Sequence, residues 1–172
     1  NDKNFDLILV IGREPNNINK FNNKIGRYSF GDSNNSAFWN ISYKKIGELM
    51  KLDTKKFKQL CTNKKTSPIA YTYALPITIE NKFKNKTKMR EKITSKEIEE
   101  HINNIFSHDI IKKRVKLIIF SGLDNGKLKE AMEKIIPKIK KLNIPYCIVP
   151  YFYGSNSKKI KFNDAEKIKI KS

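Results

Sequence analysis

The stretch FDLILVIGREP, residues 5–15, decides how the rest of the chain is read. Seven residues from Asp6 to Gly12 hold five consecutive large apolar side chains, and the run stops at glycine. A short continuous apolar run ended by glycine predicts a central strand of a parallel sheet, buried on both faces. Two further stretches share that grammar. RVKLIIFSG (114–122) and IPYCIVPYFYGSN (144–156) each predict a buried strand followed by a polar or aromatic loop.

Between the strands lie segments with helical periodicity. SAFWNISYKKIGELMKL (36–52) places Phe38, Ile41, Ile46, Leu49 and Met50 near one face. TSKEIEEHINNIF (94–106) opens with Thr94 and Glu97, the spacing of a capping box. KLKEAMEKIIPKIKKLN (127–143) is amphipathic with a bend expected at Pro137. PIAYTYALPITIE (68–80) predicts a strand with a proline-containing exit, and KFKNKTKMREK (82–92) a basic, solvated surface segment. Residues 16–35 are expected to form a long Asn- and Gly-rich loop, and 157–172 a basic, partly ordered tail. Strand and helix alternate, so the expected fold is a three-layer α/β/α domain with a central, mostly parallel four-stranded sheet. One domain is expected over all 172 residues.

The 172 residues hold 36 Lys and Arg against 17 Asp and Glu, a formal net charge of +19. That excess favours a polyanionic partner, nucleic acid before others. Nearly all the basic residues are lysine, and the heavy use of Lys, Asn and Ile is also what an AT-rich genome writes without selection for binding. Cys61 and Cys147 stand far apart in no metal-ligand spacing, which predicts reduced thiols in an intracellular, cytoplasmic protein. No apolar run approaches the roughly 18 residues of a membrane span, and no secretory leader is legible. His101 and His108 have no thiol or carboxylate spacing that makes a metal site. SGLDNGK (121–127) lacks the spacing and the Ser or Thr of a phosphate-binding Walker loop.

In an open parallel sheet, ligands sit beyond the carboxyl ends of the strands. That rule ties together the loops after Gly12, Gly122 and Val149. Glu14 is the sharpest candidate there: a carboxylate two residues past a strand-ending glycine, with Pro15 stiffening the turn, can activate water or stabilise a developing cation. The competing reading is a loop glutamate that caps a helix or meets solvent. Arg13 can contact a phosphate or simply lie at the surface. Tyr28 and Phe30 can stack on a base or pack the loop down. Phe38 is expected in the core, and Trp39 either in the core or walling the crevice. Tyr151, Phe152, Tyr153, Gly154, Ser155 and Asn156 can wedge into a duplex and hold phosphates, or form an ordinary strand exit. Lys158 and Lys159 add salt-dependent attraction to DNA, or only a solvated face.

These motifs, a strand running into GREPN, a loop carrying GRYSF and a helix opening with NNSAFWN, resemble the uracil-DNA glycosylase superfamily, nearest in look to its mismatch-specific uracil and hypoxanthine branches. The resemblance spans most of the chain in order of elements, while its specific identities are Gly12, Pro15, Phe38 and Trp39. It implies a DNA glycosylase, a base-excision repair enzyme that flips a uracil, deaminated, mismatched or modified base, including one in modified phage DNA, and hydrolyses its N-glycosidic bond. Glu14 would take the place of the water-activating residue. Arg13, Tyr28, Phe30, Trp39 and Tyr73 would meet the base, and residues 151–156 with Lys158 and Lys159 would meet the DNA. The resemblance implies a monomer that needs no metal or organic cofactor, with DNA as partner and no membrane association. PYFYGSN departs from the family's second motif, since it has no histidine to polarise the leaving base. That departure supports the alternative of a noncatalytic nucleic-acid-binding protein on the same fold. An unrelated α/β enzyme acting on a phosphorylated small molecule is a third reading. Glu14 open to the crevice favours the first reading, and Glu14 turned into a structural salt bridge favours the second.

Overall fold

A computed structural model describes residues 6–14, 37–62, 67–77 and 85–162. Four strands form one sheet: β1 (Leu7–Gly12), β2 (Ile69–Tyr73), β3 (Val115–Ser121) and β4 (Tyr146–Val149). Their spatial order is β2-β1-β3-β4 and every pairing is parallel. β1 and β3 occupy the middle, where the continuous apolar runs belong, because a central strand has no solvent face.

The alternation of side chains across a strand divides the core in two. Leu7, Leu9, Ile11, Ile118 and Phe120 face one side, and Ile8, Val10, Leu117 and Ile119 the other. The first side is covered by α4 (Ser95–Ser107), which buries Ile98, Ile102 and Phe106, and by α6 (Gly126–Lys141), which buries Leu128, Ala131, Met132, Ile135 and Ile139. The second is covered by α1 (Ala37–Leu49) and α2 (Thr54–Thr62), through Trp39, Tyr43, Ile46, Phe57 and Cys61. The three-layer α/β/α expectation therefore holds.

Local signals act as their chemistry requires. The Thr94 hydroxyl accepts from the Glu97 amide while Glu97 accepts from the Thr94 amide, so the predicted capping box is formed. α6 continues through Pro137, which lies on its exposed side, where the amide that proline lacks leaves a carbonyl to solvent. Three helices were not anticipated. α2 sends Phe57 and Cys61 inward, i and i+4, from an otherwise lysine-rich segment. α3 (Lys86–Glu91) lies inside the segment read as basic surface, and α5 (Asp109–Arg114) is little more than one turn. The first residues of the expected basic tail, 157–159, instead complete a 3-10 helix, Gly154–Lys159, followed by buried Ile160 and Phe162. Two apolar side chains at that spacing give the segment something to pack, and they join the core under α1 and α2.

Candidate functional site

The carboxyl ends of β1, β3 and β4 meet as the topology rule requires. Immediately after β1, the Arg13 Nε donates to the Gly122 carbonyl at 2.9 Å, and its guanidinium carbon lies 4.6 Å from the centre of the Tyr151 ring. Gly122 sits at φ +72°, and a Cβ there would lie 2.7 Å from Tyr151 Cβ and 2.9 Å from Arg13 Nε. The position is glycine for two reasons: the backbone conformation, and the two side chains that close over it. Gly122 N–H donates to the Val149 carbonyl at 2.9 Å, and Phe152 N–H donates to the buried Ser121 hydroxyl at 3.2 Å, so the exits of β3 and β4 are stitched together.

Gly12 is set by a neighbouring side chain. A Cβ at Gly12 would lie 1.9 Å from the Tyr71 hydroxyl oxygen and 2.7 Å from its ring carbon Cζ. The glycine makes room for the tyrosine of the neighbouring strand.

Glu14 lies at the expected end of the sheet but is not open. It is 5% exposed, and Arg90 of α3 donates to both of its oxygens: Nε to Oε2 at 2.9 Å and Nη2 to Oε1 at 2.7 Å. The expectation of a solvated basic face over 82–92 is corrected here. Arg90 turns inward, with only 12% of its side chain exposed, because a guanidinium fork matches a carboxylate bidentately and a lysine does not. Sequence reasoning missed this residue. The signal was one of only four arginines in the chain, set in a run of lysines.

Aromatic rings surround these charges. Phe38, half-buried, touches Trp39, Tyr71, Tyr151 and Phe152, with ring centres 5.0–5.5 Å apart. Of its two readings Trp39 takes the core, while Phe38 is only half-buried against it. Trp39 is 7% exposed and lies behind Phe38, edge-on to Tyr71 and tilted against Tyr43, so it is core and not a base-stacking wall. Tyr73 meets Tyr71 edge-on at 5.0 Å, and its carbonyl lies 2.9 Å from His101 Nε2, which must carry the proton for that contact to be a hydrogen bond. Burial pushes the Tyr71 phenol well above its ordinary range, with the phenols of Tyr73 and Tyr151 and the Glu14 carboxylate adding to it. Tyr151 is raised by burial and by Glu14, against the opposing cations of Arg13 and Arg90. Both phenols stay neutral near pH 7 and act through an O–H group, not a charge.

The loop 151–156 divides. Tyr151 belongs to the cluster beneath Arg13. Phe152 is fully buried, which corrects its assignment to a DNA-inserting surface: its ring fills the core under Phe38. Tyr153 projects outward at 57% exposure. Asn156 donates from Nδ2 to the Tyr151 carbonyl and from its amide to the Tyr153 carbonyl, so it braces its own loop. Gly154 begins the 3-10 helix, and Ser155, Lys158 and Lys159 are exposed. Tyr28 and Phe30 lie outside the described residues.

Among the described residues no group of three or more His, Cys, Asp or Glu is placed to hold a metal ion, and no helix is long and apolar enough to cross a membrane. Two surface cavities, of about 360 Å³ beside Leu49, Ile160 and Phe162 and of about 220 Å³ beside Ile102, Lys134 and Pro137, are lined by none of the residues of the strand-end cluster. The cluster thus joins Arg13, Glu14, Arg90, Tyr71 and Tyr151: two guanidinium cations, one carboxylate and two neutral phenols. Comparison of the chain with protein-family models, curated proteins and solved structures returns no match.

Proposed function

We propose that the protein acts on DNA as a base-excising glycosylase, with its site at the carboxyl ends of β1, β3 and β4. What supports this reading is the position of Glu14, with Arg13 and Tyr151 beside it, at the end of a parallel sheet where ligands bind; its burial in an ion pair with Arg90 is the outcome that favours the noncatalytic alternative. The exposed Tyr153, Lys158 and Lys159 adjoin this end of the sheet in sequence, in a chain of net charge +19, which suits a polyanion.

Cleavage of an N-glycosidic bond builds positive charge on the sugar as the base leaves with the bonding pair. A fixed carboxylate stabilises that charge without having to accept a proton. Both Glu14 oxygens accept from Arg90, which holds the carboxylate in one orientation. Each carboxylate oxygen keeps a second lone pair, enough to orient a water.

The same ion pair favours a second reading, a noncatalytic nucleic-acid-binding protein in which Glu14 and Arg90 only brace the strand end. A base-release assay separates them. Wild type and Glu14→Gln would be incubated with DNAs carrying uracil, hypoxanthine, mismatched thymine and modified cytosines, and abasic sites scored. Release of one base by wild type, reduced at least tenfold in the variant, supports the glycosylase. Salt-dependent binding with no release from any of these DNAs supports the binder.

A further inference from the structure

The geometry points to Arg13 as a preset binding fork for a phosphodiester of the bound nucleic acid. This inference rests on the proposed nucleic-acid binding but not on catalysis. Three contacts hold the side chain. Nε is tied to the Gly122 carbonyl, the guanidinium carbon lies over the Tyr151 ring, and the missing Cβ of Gly122 leaves the space in which both sit. Among the described residues, no hydrogen bond occupies either Nη nitrogen of Arg13, and the side chain remains partly accessible. Four N–H bonds are therefore held in one plane, with none of them spent on a described residue.

Arg90 shows by contrast what a guanidinium does here when a carboxylate is within reach: it spends Nε and Nη2 on Glu14. Glu14 is thereby matched to Arg90, and the charge of Arg13 has no carboxylate partner among the described residues. A stacked, pre-oriented guanidinium loses little rotamer freedom on binding, and its paired N–H donors match two oxygens of a phosphate. Tyr151 supplies the stacking face and, neutral under working conditions, does not compete as an anion. Lys158 and Lys159, exposed and unfixed by comparison, add attraction without register.

A phosphate contact has a signature that neither a structural role nor a base contact shares. Each neutralised phosphate contributes about 0.9 to the slope of log affinity against log salt for duplex DNA, and about 0.7 for single strands. We would measure binding of mixed-sequence duplex and single-stranded oligonucleotides by fluorescence anisotropy between about 50 and 200 mM salt, for wild type, Arg13→Gln and Arg13→Lys. Arg13→Gln should lower the slope by about one phosphate and weaken binding equally across sequences. Arg13→Lys should keep the slope and lose part of the affinity, since it keeps the charge without the fork; this variant still decides if Arg13→Gln does not fold. An unchanged slope in Arg13→Gln, or a loss confined to particular base sequences, overturns the inference. Base release by wild type with an unchanged slope would sink the fork and leave the glycosylase standing. A lowered slope with no base release would do the reverse, and wild type that binds neither oligonucleotide overturns both.

Discussion

Arg90 on α3 and Glu14 at the end of β1, 76 residues apart in the chain, form a two-bond ion pair that is almost wholly withdrawn from water. The pair fastens a short helix with no buried residues of its own to the end of the central strand. Removing one partner of such a pair strands the other charge, which costs about 3–5 kcal/mol. Arg90→Ala should therefore destabilise the protein by that order, and more than Arg90→Lys, which keeps the charge and one of the two hydrogen bonds. Urea unfolding checks this. A loss below about 1 kcal/mol for Arg90→Ala, the range of an exposed pair, would mean that the contact holds nothing.

Gly12 and Tyr71 provide a test of packing. Gly12→Ala drives a methyl into the Tyr71 hydroxyl, and overpacking of this kind costs about 1–3 kcal/mol. Tyr71→Phe removes the nearest obstructing atom but leaves the ring carbon at 2.7 Å, so it should relieve part of the cost and not all. The double variant should be less destabilised than the sum of the single variants, measured as a thermodynamic cycle by denaturant unfolding. Strict additivity would show that Gly12 is required for some reason other than Tyr71.

How far the sequence could be read follows from where the information sits. The apolar runs of β1 and β3 are local, and so is the Thr94–Glu97 box, so each is legible without neighbours. The convergence of Gly12, Gly122 and Val149 follows from topology once the strands are known. Arg90 is different: its role depends on a carboxylate 76 residues away, and its flanking lysines advertise only a solvated face. Phe152 and Tyr153 are likewise indistinguishable by composition. One fills the core and one meets solvent because of where the chain turns after β4, which no periodicity announces. α2 is hidden because its buried pair, Phe57 and Cys61, is too short a signal to stand out from six surrounding polar positions.

The buried thiols make stability fall in alkali. Burial pushes Cys61 and Cys147 from the ordinary 9.0 up to about 12, with a hydrogen bond to Ser67 opposing it at Cys61. Tyr43 is shifted upward for the same reason. Each folded group holds its proton more tightly than the unfolded chain does. The stabilisation is thus complete below pH 9.0 and drains away as pH climbs toward about 12. The thermal midpoint should fall over that window, less steeply in Cys61→Ala than in wild type. Native protein near pH 8 should resist iodoacetamide at both thiols and label at both once unfolded, because only the thiolate reacts. Rapid native labelling would show that the thiols are not buried as described.

Phe152 and Tyr153 separate folding from recognition within two adjacent residues. Phe152 is fully buried against Phe38, so Phe152→Ala leaves a cavity in the core and should cost about 3–5 kcal/mol. Tyr153 is 57% exposed and in none of the ring contacts of the cluster, so Tyr153→Ala should change stability by no more than about 0.5 kcal/mol. If the loop meets DNA, the orders reverse for binding. An aromatic ring stacked on a base is worth about 1–3 kcal/mol, so Tyr153→Ala should weaken oligonucleotide binding by roughly 5- to 150-fold while leaving the unfolding transition in place. Loss of binding should depend only weakly on salt, since no charge is removed, which sets it apart from any change at Lys158 or Lys159. Unchanged affinity in Tyr153→Ala would take this loop out of the DNA interface and leave the contact to the strand-end cluster around Arg13.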